Sequence, residues 1–270
     1  MGYCHSSATV KVARADLHFW EEPIISGSNG SGAIFFGGCS LGCVYCQNYE
    51  ISRNGIGREY TVEELSRVML LLRDRGAHNI NLVTPTHFAP SIREAILLAR
   101  ERGLGIPVVY NTSSVDSVNT LRMLDGCIDV YLPDLKYYKS STAKSLSFFE
   151  DYVDTARLAI DEMVRQRPTP IIENDLIKSG VVVRILLLPG HLAEAKLNVK
   201  YLYEKYKNQI YLSLMNQYTP VNKMKPPLNR PVTSAEYSEL VSYAERIGVV
   251  NGFIQEGGTV SESFIPEFNK

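Results

Sequence analysis

The sequence predicts an α/β domain built on a mainly parallel sheet. Short apolar runs alternate with amphipathic stretches about six times in succession, the pattern of serial βαβ units. The runs are near-continuous in apolar residues, as strands covered on both faces are. Linkers between them are short. An open doubly wound sheet and a barrel both fit. Six units fall short of the usual eight-stranded barrel but suffice for a partial one.

Residues 1–32 read as an N-terminal lead-in segment, with Ser26–Gly32 (SGSNGSG) as flexible chain, and residues 33–270 as the domain. SGSNGSG lacks the Gly-Lys-Ser/Thr ending of a phosphate loop. Ala33–Phe36 is a buried strand bounded by glycines. Thr61, with Glu64 three residues on, forms a capping box. The helix behind it carries Leu65, Val68, Met69 and Leu72 as one apolar stripe and ends at Gly76. Strands follow over Asn79–Thr84, Pro107–Tyr110 and Ile128–Leu132, with helices over Ser91–Arg102 and Val115–Leu124 between them. One long helix is expected over roughly Ser145–Arg165. A hairpin turning at Asn174-Asp175 leads into the most apolar strand, Val181–Leu188. A helix over Ala193–Tyr206, a strand over Ile210–Met215, a helix over Ser234–Ile247 and a terminal strand in VNGFIQ complete the series.

At 270 residues the chain can bury one large core. Its 45% apolar and 21% charged content is that of an ordinary globular protein. A formal net charge of −1 gives no electrostatic case for nucleic acid or an anionic membrane. No apolar run reaches the ~18 residues of a spanning helix, and the start lacks a secretory pattern. A cytoplasmic location is the expectation. Five cysteines is an odd number, and a disulfide framework is not expected.

Three of those cysteines, Cys39, Cys43 and Cys46, fall within GGCSLGCVYCQNYE, residues 37–50. Thiolates are soft, charged donors suited to iron–sulfur clusters. Three of them on a loop can hold three corners of a cubane and leave one iron open. Zinc more often takes two Cys-x-x-Cys pairs or added histidines, and neither His18 nor His78 sits at a ligand spacing. Cys127 precedes an apolar strand and reads as a small core hydrophobe; Cys4 reads either as a free thiol or as the remnant of a cysteine-bearing segment. Asp134 and Lys136, two apart in extended chain past a strand, point the same way. Arg184 lies inside VVVRILLL, where its charge must meet an anion. His87 and His191 follow strands at the face where βα units place their sites, His191 reading as a turn residue after Pro189-Gly190. Asn111, Thr112 and Gln217, also at strand ends, read as pocket lining.

Cys39-x-x-x-Cys43-x-x-Cys46, on a glycine-rich loop after a first strand and with the aromatic Tyr45 before its third cysteine, resembles the radical S-adenosylmethionine (SAM) superfamily. The resemblance implies a partial (β/α)6 barrel with the site at the C-terminal ends of the strands. It also implies a [4Fe-4S] cluster ligated by Cys39, Cys43 and Cys46, whose fourth iron binds the amino and carboxylate groups of SAM. Electron transfer would then yield methionine and a 5′-deoxyadenosyl radical that abstracts hydrogen. YLPDLK (131–136) and VRILLLPG (183–190) look like the pyruvate formate-lyase activating enzyme. EEPIISG, GCVYCQN, NINLVTPTHF and QYTP resemble a little-characterised branch of that group. On this likeness Tyr45 packs on adenine, and Asp134 and Lys136 hold the methionine end of SAM; from their place after strands, His87 or His191 touches SAM or substrate. Arg184 meets either the SAM carboxylate or an acidic side chain. The activating enzymes carry Gly-Gly-Glu after the second strand, where this sequence has Thr84-Pro85-Thr86-His87. The partners implied are an electron donor of flavodoxin or ferredoxin type and a protein whose glycine becomes a glycyl radical. The competing reading is a non-catalytic module, an iron–sulfur electron carrier or a zinc-stapled adaptor.

Overall fold

The computed structural model describes residues 9–221 and 224–255; Cys4 lies outside them. The strands are β1 (Val10–His18), β2 (Ser31–Phe36), β3 (Arg58–Tyr60), β4 (Ile80–Val83), β5 (Val108–Thr112), β6 (Val130–Pro133), β7 (Ile171–Glu173), β8 (Leu176–Leu186), β9 (Tyr211–Met215) and β10 (Gly252–Ile254). The helices are α1 (Pro23–Ser26), α2 (Tyr49–Arg53), α3 (Val62–Asp74), α4 (Ala89–Glu101), α5 (Val118–Met123), α6 (Ser140–Ser147), α7 (Tyr152–Gln166), α8 (Leu192–Tyr206) and α9 (Ser234–Ile247). In the sheet β2, β4, β5, β6, β8 and β9 lie side by side in chain order, all parallel. A helix follows each of these six strands. The order never reverses, so there is no switch point of a doubly wound sheet; this is the progression of a barrel wall. Among the described residues the wall ends at β10 on one side and β3 on the other.

Alternation along each strand sorts two faces. Ile34, Phe36, Ile80, Leu82, Val108, Tyr110, Tyr131, Val183 and Ile185 join the helices in the main core. On the opposite, inner face Val109, Val130, Leu132 and Val182 pack against Ile24 and Ile25 of α1. Further along the same face the residues turn polar: Asn111 on β5, Asp134 just past β6, Arg184 on β8 and Ser213 on β9. α1 therefore fills one end of the interior and leaves a polar layer towards the other.

The segment expected as a lead-in belongs to the sheet. β1 pairs antiparallel with β2 over Val12–His18, α1 is buried against β8, and β2 begins at Ser31, inside SGSNGSG. β1 supplies the hydrogen bonds that the edge of β2 would otherwise lack. The helix expected over Ser145–Arg165 is two helices. α6 stops at Phe148, which turns left-handed at φ 55°, and α7 starts at Tyr152. α6 abuts the cysteine loop, with Val44 N donating to Leu146 O at 2.9 Å, while α7 packs on α5. One straight helix could not do both. The Thr61–Glu64 capping box forms as expected. So does the Asn174-Asp175 turn, with both φ angles positive (51° and 62°), as a two-residue hairpin demands.

Candidate active site

β2 runs out into Gly37-Gly38, and only glycine fits there. A Cβ on Gly37 would lie 2.9 Å from the Ile56 carbonyl, and Gly38 has φ 89°. The tight exit throws residues 39–48 over the C-terminal ends of the parallel strands. The loop is tied down by Val44 to α6 and by Gln47 Nε2 donating to Gln217 O at 2.8 Å. Cys39, Cys43 and Cys46 are free thiols, each partly exposed. They line one cavity together with Glu21, Asn111, Thr112, Asp134, Lys136, Arg184, Gln217 and Tyr218. Its empty space, open mouth included, is about 1320 Å³.

Each thiol has a hydrogen-bonding neighbour. Cys39 Sγ accepts from Leu41 N at 3.3 Å, Cys43 Sγ from Ser147 Oγ at 3.1 Å, and Cys46 Sγ lies 3.4 Å from Ser52 Oγ. Burial, reinforced by Cys43, pushes the Cys39 thiol up to about 12. It is protonated until a metal displaces the proton. Among the described residues no three Cys, His, Asp or Glu side chains are grouped to hold a single ion.

The floor of the cavity is an ionic network. Arg184 Nε donates to Asp134 Oδ1 at 2.8 Å, Nη1 to Glu21 Oε2 at 3.3 Å and Nη2 to Asn111 Oδ1 at 2.5 Å. Lys136 Nζ donates to Asp134 Oδ2 at 2.6 Å. Burial alone would raise the Asp134 carboxyl, but Arg184 and Lys136 outweigh it and hold it below the usual range. Glu21 Oε1 also accepts from Asn81 Nδ2 at 2.8 Å and from Asn111 Nδ2 at 3.3 Å. For Glu21 burial wins, and its carboxyl is raised despite Arg184.

The cysteines, Asp134, Lys136 and Arg184 thus meet in one cavity, and Arg184 is already paired with acidic side chains there. Tyr45 touches the cavity but is buried beneath the loop, its hydroxyl 2.8 Å from that of Tyr137 and its ring edge-on to Tyr218. His87 is not among the lining residues. Its Nε2 donates to the Gly37 carbonyl at 2.8 Å, so it braces the loop from behind, and burial lowers its basicity. Thr84 does line the cavity and takes φ 59°, a region glycine enters freely and a β-branched residue rarely. It stands where the activating enzymes have Gly-Gly-Glu. His191 lies apart, its Nδ1 3.7 Å from Glu194 Oε1. Cys127 is buried in the core. Glu21 had no role in the sequence reading; EEPIISG marked the segment, but nothing local pointed to its partners.

The profile of the Radical SAM superfamily matches residues 33–195. The chain belongs to the radical SAM superfamily. Its cofactors are those of the superfamily, a [4Fe-4S] cluster and SAM. An uncharacterized protein of Methanocaldococcus jannaschii is 28% identical over 241 residues, 85% of this chain and 65% of that protein. Among solved structures, Streptococcus suis SuiB bound to S-adenosylmethionine has a TM-score of 0.57 at 14% identity, covering 84% of this chain and 50% of SuiB. HydG, a maturase of the [FeFe]-hydrogenase, has a TM-score of 0.55 at 18% identity, covering 80% of this chain and 48% of HydG. At such identities the likeness is one of fold. The chain spans about two thirds of the first relative and half of these two structures.

Proposed function

We propose that this radical SAM protein binds its cluster through Cys39, Cys43 and Cys46 and cleaves SAM to start hydrogen abstraction. One observation carries the reading: the three thiols and the Asp134–Lys136–Arg184 network line the same cavity at the C-terminal strand ends. When bound and reduced, the cluster supplies the electron that splits SAM into methionine and a 5′-deoxyadenosyl radical. The chain's residues supply orientation. Lys136 and Arg184 would hold the carboxylate of SAM, and Asp134 its ammonium. Because Arg184 is held by Asp134, Glu21 and Asn111, its guanidinium plane is fixed before ligand arrives. The mixed polar and apolar lining suits a zwitterion joined to a nucleoside.

The target we favour is a glycine of a partner protein, with a flavodoxin- or ferredoxin-type donor supplying the electron. The activating-enzyme-like YLPDLK and VRILLLPG stretches support it, as does a wall that ends at β3 and β10 without those strands pairing. Anaerobic reconstitution tests the ligands. The wild-type chain should bind about four irons, Cys39→Ala, Cys43→Ala and Cys46→Ala should lose them, and Cys127→Ala should not. Iron kept by the first three variants rejects the assignment. Electron paramagnetic resonance on enzyme, SAM, reductant and a candidate partner should show a glycyl doublet. A small molecule consumed with no doublet on any protein rejects the glycyl target alone.

A further inference from the structure

We propose that a chain of hydroxyls, Tyr45–Tyr137–Ser147, donates into the sulfur of Cys43 and raises the reduction potential of the cluster held there. The inference rests on the proposal that Cys43 is a ligand. Tyr45 Oη lies 2.8 Å from Tyr137 Oη, which lies 2.5 Å from Ser147 Oγ, and Ser147 donates to Cys43 Sγ at 3.1 Å. All three donors are buried, at 5%, 1% and 0% exposure, so water cannot stand in for a missing link.

Proton counting fixes the direction. A ligand thiolate carries no proton and only accepts. Each hydroxyl has one proton to give. Ser147 gives its proton to Cys43 and must accept from Tyr137; Tyr137 must then accept from Tyr45. All three O–H dipoles run towards the sulfur, and serial donors in a buried site polarise one another. The path starts in the cysteine loop at Tyr45, crosses to Tyr137 beyond β6 and returns from the end of α6. Val44 is bonded to Leu146 on that same helix, which holds both ends of the path still.

The other two thiols lack such support. Cys39 accepts from a single backbone N–H at 3.3 Å. Cys46 meets the Asn48 backbone N–H and the Ser52 hydroxyl, which is shared with the Tyr49 carbonyl, 3.4 Å away, so neither thiol has a run of hydroxyls behind it. Reduction adds negative charge to a cluster and its sulfurs. A donor at Cys43 therefore stabilises the reduced form more than the oxidised one and raises the potential.

The test is a redox titration of the cluster-loaded protein, followed by the electron paramagnetic resonance of the reduced cluster, with iron counted in each sample. Ser147→Ala should keep about four irons and titrate at a more negative potential. Tyr137→Phe, which leaves Ser147 in place, should shift the same way by less. Ser145→Ala, exposed on α6, should not shift. A wild-type potential in Ser147→Ala, or an equal shift in Ser145→Ala, overturns the proposal. If Ser147→Ala holds no iron, Tyr137→Phe decides, and a wild-type potential there overturns it. Full iron in Cys43→Ala would instead reject the ligand assignment beneath it.

Discussion

At Arg184 three partners meet one guanidinium, and two of them are carboxylates. Burying that charge would cost several kcal/mol if it were unpaired. Glu21 therefore stabilises the interior as well as shaping the cavity floor. Glu21→Ala would leave Arg184 Nη1 and the Asn81 amide without acceptors and should cost about 3 kcal/mol, read from denaturant unfolding. Glu21→Gln keeps an acceptor for Asn81 and should cost less. Equal stability of Glu21→Ala and wild type would show that the network carries no load. That the cysteines, Asp134, Lys136 and Arg184 would share one cavity was legible because spacing or an intrusive charge marks them. Glu21 was not: Asn81, Asn111 and Arg184 are 60, 90 and 163 residues away, and no local pattern encodes such contacts. The hydroxyl partner of Tyr45 was hidden for the same reason, since Tyr137 is 92 residues away.

Single elements were legible where their signals are local. The capping box at Thr61 and the Asn174-Asp175 turn are fixed by side chains within four residues. The α6–α7 break is not, since it answers to the cysteine loop on one side and α5 on the other. On α7, the buried Glu162 accepts from Arg165 and Gln166. The Arg165 bonds dominate and lower its carboxyl from 4.5 to about 2. A lowered native pKa contributes stability above the unfolded value that is lost as pH falls through the native one. Glu162 should thus stabilise α7 fully above about pH 5 and fade between about pH 4.5 and 2. Urea midpoints at pH 6 and pH 3 should differ less in Glu162→Gln than in wild type. An unchanged difference would remove Glu162 from the acid limb.

Across the whole molecule, six parallel strands in chain order bring every loop after a strand to one rim. Serial strand–helix alternation made the parallel α/β sheet legible but left a doubly wound sheet and a barrel both open; the partial barrel came with the resemblance carried by the cysteine loop after the first parallel strand. What the alternation hid was β1 with α1. Antiparallel pairing to β2 and burial inside the wall depend on strands that come later in the chain. The central claim is that this rim cleaves SAM. It is tested most directly by chromatography of the reconstituted protein with SAM and dithionite. Wild type should form 5′-deoxyadenosine and methionine in equal amounts. Lys136→Ala and Arg184→Gln should keep their iron yet need more SAM for the same rate, and Cys43→Ala should form neither product. A protein with its iron in place that forms no 5′-deoxyadenosine would contradict the claim.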